Sequence, residues 1–217
     1  MFKTIRSDIS CILQRDPAAR NALEVVLCYP GFHAVFWHRF SHFLFNHKLK
    51  LLARMVSQTT RFFTGIEIHP GAKLGQRIFI DHGMGVVIGE TAEVGDDVVI
   101  YQGATLGGTG KETGKRHPTI GNGVLIASGA KVLGPFTIGD YAKVGAGAVV
   151  LKEVPAYATV VGIPAKVAKV AAPKVPTPPI DLDQIHLPDP IGQEIEYLKQ
   201  RLAQLEAACV HLKNTPE

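Results

Sequence analysis

Cysteine is scarce: the chain has three in 217 residues, Cys11, Cys28 and Cys209, with no CxxC pair among them. That excludes a disulfide framework and leaves the cysteines as small buried hydrophobes of a reducing compartment. Long apolar runs are missing as well. The most apolar early stretch, GFHAVFWHRFSHFLF, is broken by His33, His38, Arg39 and His42, which excludes a membrane span. The opening MFKTIRSDIS has no apolar signal-peptide core, so a cytoplasmic location is expected. Basic blocks are absent too. Lys and Arg are scattered, the net charge is +4, and no aromatics interleave with them, so neither nucleic acid nor a membrane is an expected partner. An anionic small molecule, such as one carrying phosphates, suits this balance better. A hydrophobic share of 46% against a charged share of 19% describes a globular chain long enough to bury a substantial core.

Punctuation divides the chain into four stretches. Residues 1–64 read as a helical domain. Asp16-Pro17 looks like a helix start, with Asp as N-cap and Pro at the first helical position. Tyr29-Pro30-Gly31 interrupts, and residues 32–63 then run without Pro or Gly, with apolar residues at three- and four-residue steps. Residues 169–190 hold a Pro-rich run, with six prolines between 171 and 190, and read as an extended linker. Residues 191–214 read as a helix carrying a heptad seam: Ile195, Leu202 and Cys209 at a, Ile191, Leu198, Leu205 and Leu212 at d. Glu194 with Lys199, and Arg201 with Glu206, stand at g and the following e with opposite signs, as a parallel coil between identical chains requires. A single amphipathic helix docked on its own subunit is the alternative.

The stretch 65–168 is periodic. Aliphatic residues stand at 68, 74 and 80, at 88, 94, 100 and 106, and at 120, 126, 132, 138, 144 and 150, usually followed by Gly. A six-residue period fits neither a helix nor a hairpin meander; it indicates a parallel β-helix, one short strand per hexapeptide, in roughly four to five coils. The fold class is α+β, helices first and β-helix second. The period slips twice. Ile80 to Ile88 is a step of eight containing Asp81-His82, and Leu106 to Ile120 is a step of fourteen containing GGTGKETGKRHPT. The longer one is expected to leave the wall as a loop, where sites are commonly placed.

Only three histidines lie in the repeat: His69, His82 and His117. His82 follows Asp81 at the first slip, and His117 follows Arg116 at the second. Glu67 lies fifteen residues before His82, near one coil, so it is a candidate carboxylate to orient an imidazole base. The plainer reading makes Asp81 and His82 a corner cap. The cluster His33, His38, His42 and His47 has no Cys or carboxylate partners at ligand spacing, and HxxxxH is absent from the repeat, so no metal is expected.

The run IEIHPGAKLGQRIFIDHGMGVVIGETAEVGDDVVIYQGATLGGTGKETGKRHPTIGNGVLIASGAKVLG, with GAGAVV and VVGIPAKV after it and RDPAA and YPGFHA before it, resembles the serine acetyltransferases of cysteine biosynthesis over about 8–168. The resemblance implies a left-handed β-helix, and acetyl transfer from acetyl-CoA to the hydroxyl of L-serine. By position it implies His82 as general base and Glu67 as its orienting carboxylate, where many members have Asp. Asp81, Arg116, His117 and Asp16 match serine-binding positions. Gly108, Ser128 and Ala146 match positions whose backbone holds CoA, and Lys152 and Lys166 are candidates for its phosphates. It further implies a homotrimer with sites shared between prisms, or a hexamer, although the helical region is shorter than in members whose extra helices join two trimers. L-cysteine is the implied feedback inhibitor. O-acetylserine sulfhydrylase, which binds members ending in isoleucine, is not supported as a partner by the closing KNTPE. Two other readings stay open: a hexapeptide acyltransferase for a different hydroxyl or amine, and a non-catalytic scaffold.

Overall fold

The computed structural model describes residues 2–110, 113–170, 182 and 189–213. The chain forms two compact units, Met1–Leu187 and Pro188–Glu217. In the first, four helices precede the repeat: α1 (Phe2–Arg15), α2 (Ala22–Cys28), α3 (Pro30–Asn46) and α4 (Lys50–Thr64). Asp16-Pro17 does not start a helix. Asp16 follows the last residue of α1, and its Oδ1 accepts the Ala18 N–H at 2.8 Å in a local turn. Asn21 caps α2 instead, accepting from the Glu24 N–H at 2.9 Å. The segment 32–63 is two helices, not one. Leu49 N–H reaches Leu44 O and Lys48 N–H reaches Phe45 O, each at 3.0 Å, and Lys48 takes φ 65°. Those bonds form a Schellman stop built on lysine where glycine is usual, so no glycine marks it in the sequence.

The repeat coils into a three-sided prism. The first sheet stacks β1 (Glu67–Ile68), β4 (Val87–Ile88), β7 (Thr105–Gly107), β10 (Lys131–Leu133) and β13 (Val149–Val150). The second stacks β2 (Lys73–Leu74), β5 (Glu93–Val94), β8 (Thr119–Ile120) and β11 (Thr137–Ile138). The third stacks β3 (Phe79–Asp81), β6 (Val99–Tyr101), β9 (Leu125–Ile126), β12 (Lys143–Val144) and β14 (Ala158–Val161), with β15 (Lys166–Val170) antiparallel at its edge. Every pairing between coils is parallel, and anchors pair with anchors: Ile68 with Ile88, Ile80 with Ile100, Leu106 with Val132. The anchors and the residues two before them alternate inward together, so Ile66, Ile78, Val86, Val98 and Val124 join one continuous core. That core continues past the sequence repeat to Val154 and Val160.

The helices cover two parts of the prism. Ala34 and Val35 of α3 enter the core at its first coil. The fit is tight, since a Cβ on Gly31 would lie 2.0 Å from the Ile80 carbonyl oxygen. Cys11 and Ile12 of α1 and Val25 of α2 pack on the outward residues Phe79, Val99 and Leu125 of the third sheet. Of the cysteines expected to be buried, Cys28 is exposed. Buried Asp8 ties α1 down by an ion pair to Arg39 of α3 and by accepting the Arg77 N–H at 3.1 Å. The Pro-rich stretch from 171 to 188 lies, apart from Leu182, outside the described residues. In the second unit α5 (Pro190–Lys213) exposes Ile195, Leu198, Leu202 and Leu205 along one seam; the side chains of Ile191, Cys209 and Leu212 lie outside the described set.

His38, on the buried face of α3, is 4% exposed, and burial, reinforced by His42, pushes its imidazole down to about 3. The unfolded chain takes up that proton below the ordinary value near 6.5 while the folded chain does not. Stability from this group is therefore complete above about pH 6.5 and is lost as pH falls toward 3, by about 1.4 kcal/mol per unit. Urea unfolding of the His38→Gln variant across this range should show a flatter pH dependence than the parent.

Candidate active site

The first slip lies at the edge between the third and first sheets. His82 takes φ 56° and Gly83 φ 73°, so the two extra residues bulge outward before the wall resumes. Histidine tolerates the left-handed region better than most side chains. Gly83 is required twice over, by its φ and because a Cβ there would come 2.4 Å from Ile66 Cδ1. The bulge leaves the His82 side chain 75% exposed, with Asp81 Oδ2 3.9 Å from Nε2. Burial raises the Asp81 carboxyl; His82 opposes that and Asp16 adds to it. Asp16 is thus brought toward Asp81 from the turn after α1, and it is held there by the Tyr29 hydroxyl, which donates to Oδ2 at 2.5 Å. Burial, then the bond to Asp16, keeps the Tyr29 phenol protonated far above its usual range.

Glu67 stands differently from what a fifteen-residue offset suggests. The first coil is twenty residues round because it contains the bulge, so Glu67 pairs with Val87, five residues beyond His82. Its carboxylate meets Arg61 Nη1 at 3.2 Å, while Asp81 is the carboxylate within 4.0 Å of His82. Above the bulge the same edge is nearly bare. Gly103 N–H donates to Met84 O, Gly129 N–H to Gln102 O and Gly147 N–H to Ser128 O, at 2.8–2.9 Å. A Cβ on Gly129 or Gly147 would meet nothing within 4 Å. Ser128 and Ala146 therefore share one edge with His82, along a strip wide open to a thin chain.

Arg116, His117 and Gly108 lie on the next edge, between the first and second sheets. There the long excursion returns onto Glu90 and Thr91 of the coil below. Arg116 pairs with Glu90, whose carboxyl is held below its usual range by that bond. His117 is 8% exposed; burial and the neighbouring Arg116 lower its pKa. Its ring lies flat against Gly89, where a Cβ would sit 1.9 Å from Cδ2. One chain thus separates the candidate residues onto two edges. Lys152 is exposed beyond β13, and Lys166 is exposed on β15. Among the described residues no group of three or more His, Cys, Asp or Glu is placed to hold a metal ion, and no helix is long and apolar enough to cross a membrane.

Residues 1–36 match the signature described as "Serine acetyltransferase, N-terminal", and residues 117–152 that of "Bacterial transferase hexapeptide (six repeats)". A serine acetyltransferase of Bacillus pumilus is 53% identical over 216 residues, covering 100% of this chain and 98% of its own. The chain belongs to the serine acetyltransferase family. A serine acetyltransferase solved in complex with cysteine superposes with a TM-score of 0.80 at 43% identity, over 85% of this chain and 71% of its own. The Brucella abortus member solved with coenzyme A does so at 0.77 and 44%, over 79% and 68%.

Three supporting residues went unnoticed in the sequence: Tyr29, Glu90 and Thr91. The last two were within reach. Val94 pairs through β8 with Ile120, twenty-six residues on, and the same offset sets Glu90 against Arg116 and Thr91 against His117. Gly89→Ala should drive the His117 ring off its seat and cost about 1–3 kcal/mol as overpacking does, read as a lowered denaturation midpoint.

Proposed function

We propose that the chain transfers the acetyl group of acetyl-CoA to the hydroxyl of L-serine, releasing CoA and O-acetylserine, the first committed step of cysteine biosynthesis. The observation that carries this reading is the exposed His82 beside Asp81, on a strained bulge in a chain of this family. Serine's hydroxyl is a poor nucleophile at neutral pH. His82 takes its proton as the oxygen attacks the thioester carbonyl; the tetrahedral adduct then collapses, and the departing thiolate of CoA recovers the proton from the imidazolium. Glu67 turns toward His82 in place of Arg61 and fixes its tautomer. Asp81 and Asp16 pair with the substrate ammonium. Arg116 grips the carboxylate and His117 donates to it. Pantetheine lies along the bare edge past Ser128 and Ala146, with Gly108 contributing its backbone and Lys152 and Lys166 facing the phosphates.

Because Arg116 and His117 stand on a different edge from His82, the site in this reading is completed by a second prism, in a homotrimer or a hexamer of two trimers. The exposed seam of α5 supplies a parallel three-stranded coil, with Glu194–Lys199 and Arg201–Glu206 matched between copies. L-cysteine, which shares serine's ammonium and carboxylate, is the expected competing inhibitor, and the cytoplasm, where acetyl-CoA is available, the expected location.

A thiol-release assay with acetyl-CoA and a panel of acceptors tests the reading. Release should depend on L-serine and fall when L-cysteine is added; release driven instead by a sugar or another amine would overturn it. His82→Ala should lower kcat by about 10²- to 10⁴-fold with assembly unchanged by sedimentation, and a near-normal rate would remove His82 as base. Deleting 191–217 should weaken trimerisation or lower thermal stability; no change in either sinks the coil.

A further inference from the structure

The dipeptide Glu90–Thr91 meets all three residues of the returning loop. Lys115 Nζ donates to Thr91 O at 2.9 Å, Glu90 pairs with Arg116, and Thr91 holds the backbone of both Arg116 and His117. The Thr91 hydroxyl has one proton and two lone pairs. Both lone pairs are engaged, since Oγ1 accepts the Arg116 N–H at 3.0 Å and the His117 N–H at 3.1 Å. Its proton is therefore directed to His117 Nδ1, 2.9 Å away. The same Nδ1 receives the Thr91 backbone N–H at 3.2 Å, and an amide can only donate.

Two donors converge on one ring nitrogen, and that nitrogen must carry a lone pair. We propose that Thr91 is a positioning residue which locks His117 in the neutral Nε2–H tautomer, so that the ring presents a donor, never an acceptor, to the carboxylate end of the substrate. This rests on the reading that His117 contacts serine. A ring protonated at Nδ1 would set an N–H against two other donors, so the imidazolium is disfavoured. Burial and Arg116 act in the same direction. A neutral donor beside Arg116 also avoids a second full positive charge in the same seat. Gly89 and Gly108 let the ring pack against their backbone: a Cβ at either would stand 2.0 Å or 3.1 Å from Nε2.

The test uses the full chain labelled with ¹⁵N-histidine, with the His117 signals identified by their loss in His117→Gln. The parent should show a pyridine-type Nδ1 and a pyrrole-type Nε2 at neutral pH. Thr91→Val, which keeps only the 3.2 Å amide donor, should shift the two signals toward each other and raise the KM for serine about tenfold, the equivalent of one lost hydrogen bond, with the KM for acetyl-CoA within about twofold of the parent. Thr91→Ser, which keeps the hydroxyl, should restore both. Thr91→Ala serves the same purpose where the valine variant melts early. Unchanged ring signals in both hydroxyl-free variants, whatever their melting temperatures, would reduce Thr91 to a loop anchor and overturn the proposal. Failure of the underlying reading looks different: His117→Gln would then leave the serine KM unaltered, while the ring signals still decide the role of Thr91.

Discussion

Anchor must sit on anchor. Each coil of the prism pairs in parallel with the one beneath, and its aliphatic side chain has to land on the same inward column, as Ile88 does between Ile68 and Leu106. A slip of one residue along a strand would turn the buried set outward, so the walls accept no insertion. Extra residues can leave only at the edges. That single restriction decides where the chain can leave the prism, whose inward columns are Ile, Val, Leu and Ala.

Both insertions obey it, with different results. The short one puts two residues into a left-handed bulge and pushes His82 into solvent with Asp81 at its root. The long one goes out and comes back, and its return is governed by the coil below: Glu90 and Thr91 receive Arg116 and His117 at the twenty-six-residue register that Val94 and Ile120 also keep. Exposure suits a group that must exchange a proton with a substrate hydroxyl. Burial and a closed hydrogen-bond set suit a group that has only to hold still. The proposed division of labour between the two histidines follows from these environments.

The helices serve the same geometry from outside. Asp8, which accepts the Arg77 N–H at 3.1 Å, and the Arg15–Asp97 bridge at 2.9 Å clamp α1 to the prism, and that clamp brings the turn carrying Asp16 toward Asp81. Tyr29, the residue between α2 and α3, then fixes the carboxylate. Asp16, the acid proposed to bind serine, comes from the helical region to the side of the β-helix because that region is pinned at several points.

Much of this was legible without coordinates. The six-residue period determined the β-helix, its inward columns and the two places where it opens, because a repeat with one inward residue per strand has no other way to bury them. DHG and RHP marked the openings as candidate sites. What stayed hidden was decided by contacts between residues far apart in sequence. Lysine at a helix stop carries no glycine signal, so the break at Lys48 was invisible. Asp16 before Pro17 has the look of an N-cap, and only the packing of α1 shows it spent on a turn and on Tyr29. The offset from Glu67 to His82 counts an eighteen-residue coil, but the bulge lengthens that coil to twenty, so the pairing of Glu67 with Val87 and its contact with Arg61 were not legible. The sequence by itself determined which residues are candidates for chemistry and at which levels of the prism they lie. The tertiary structure decided which edge each one occupies, since the edge depends on the summed length of every insertion before it, and therefore which groups one chain can bring together and which it must hold apart.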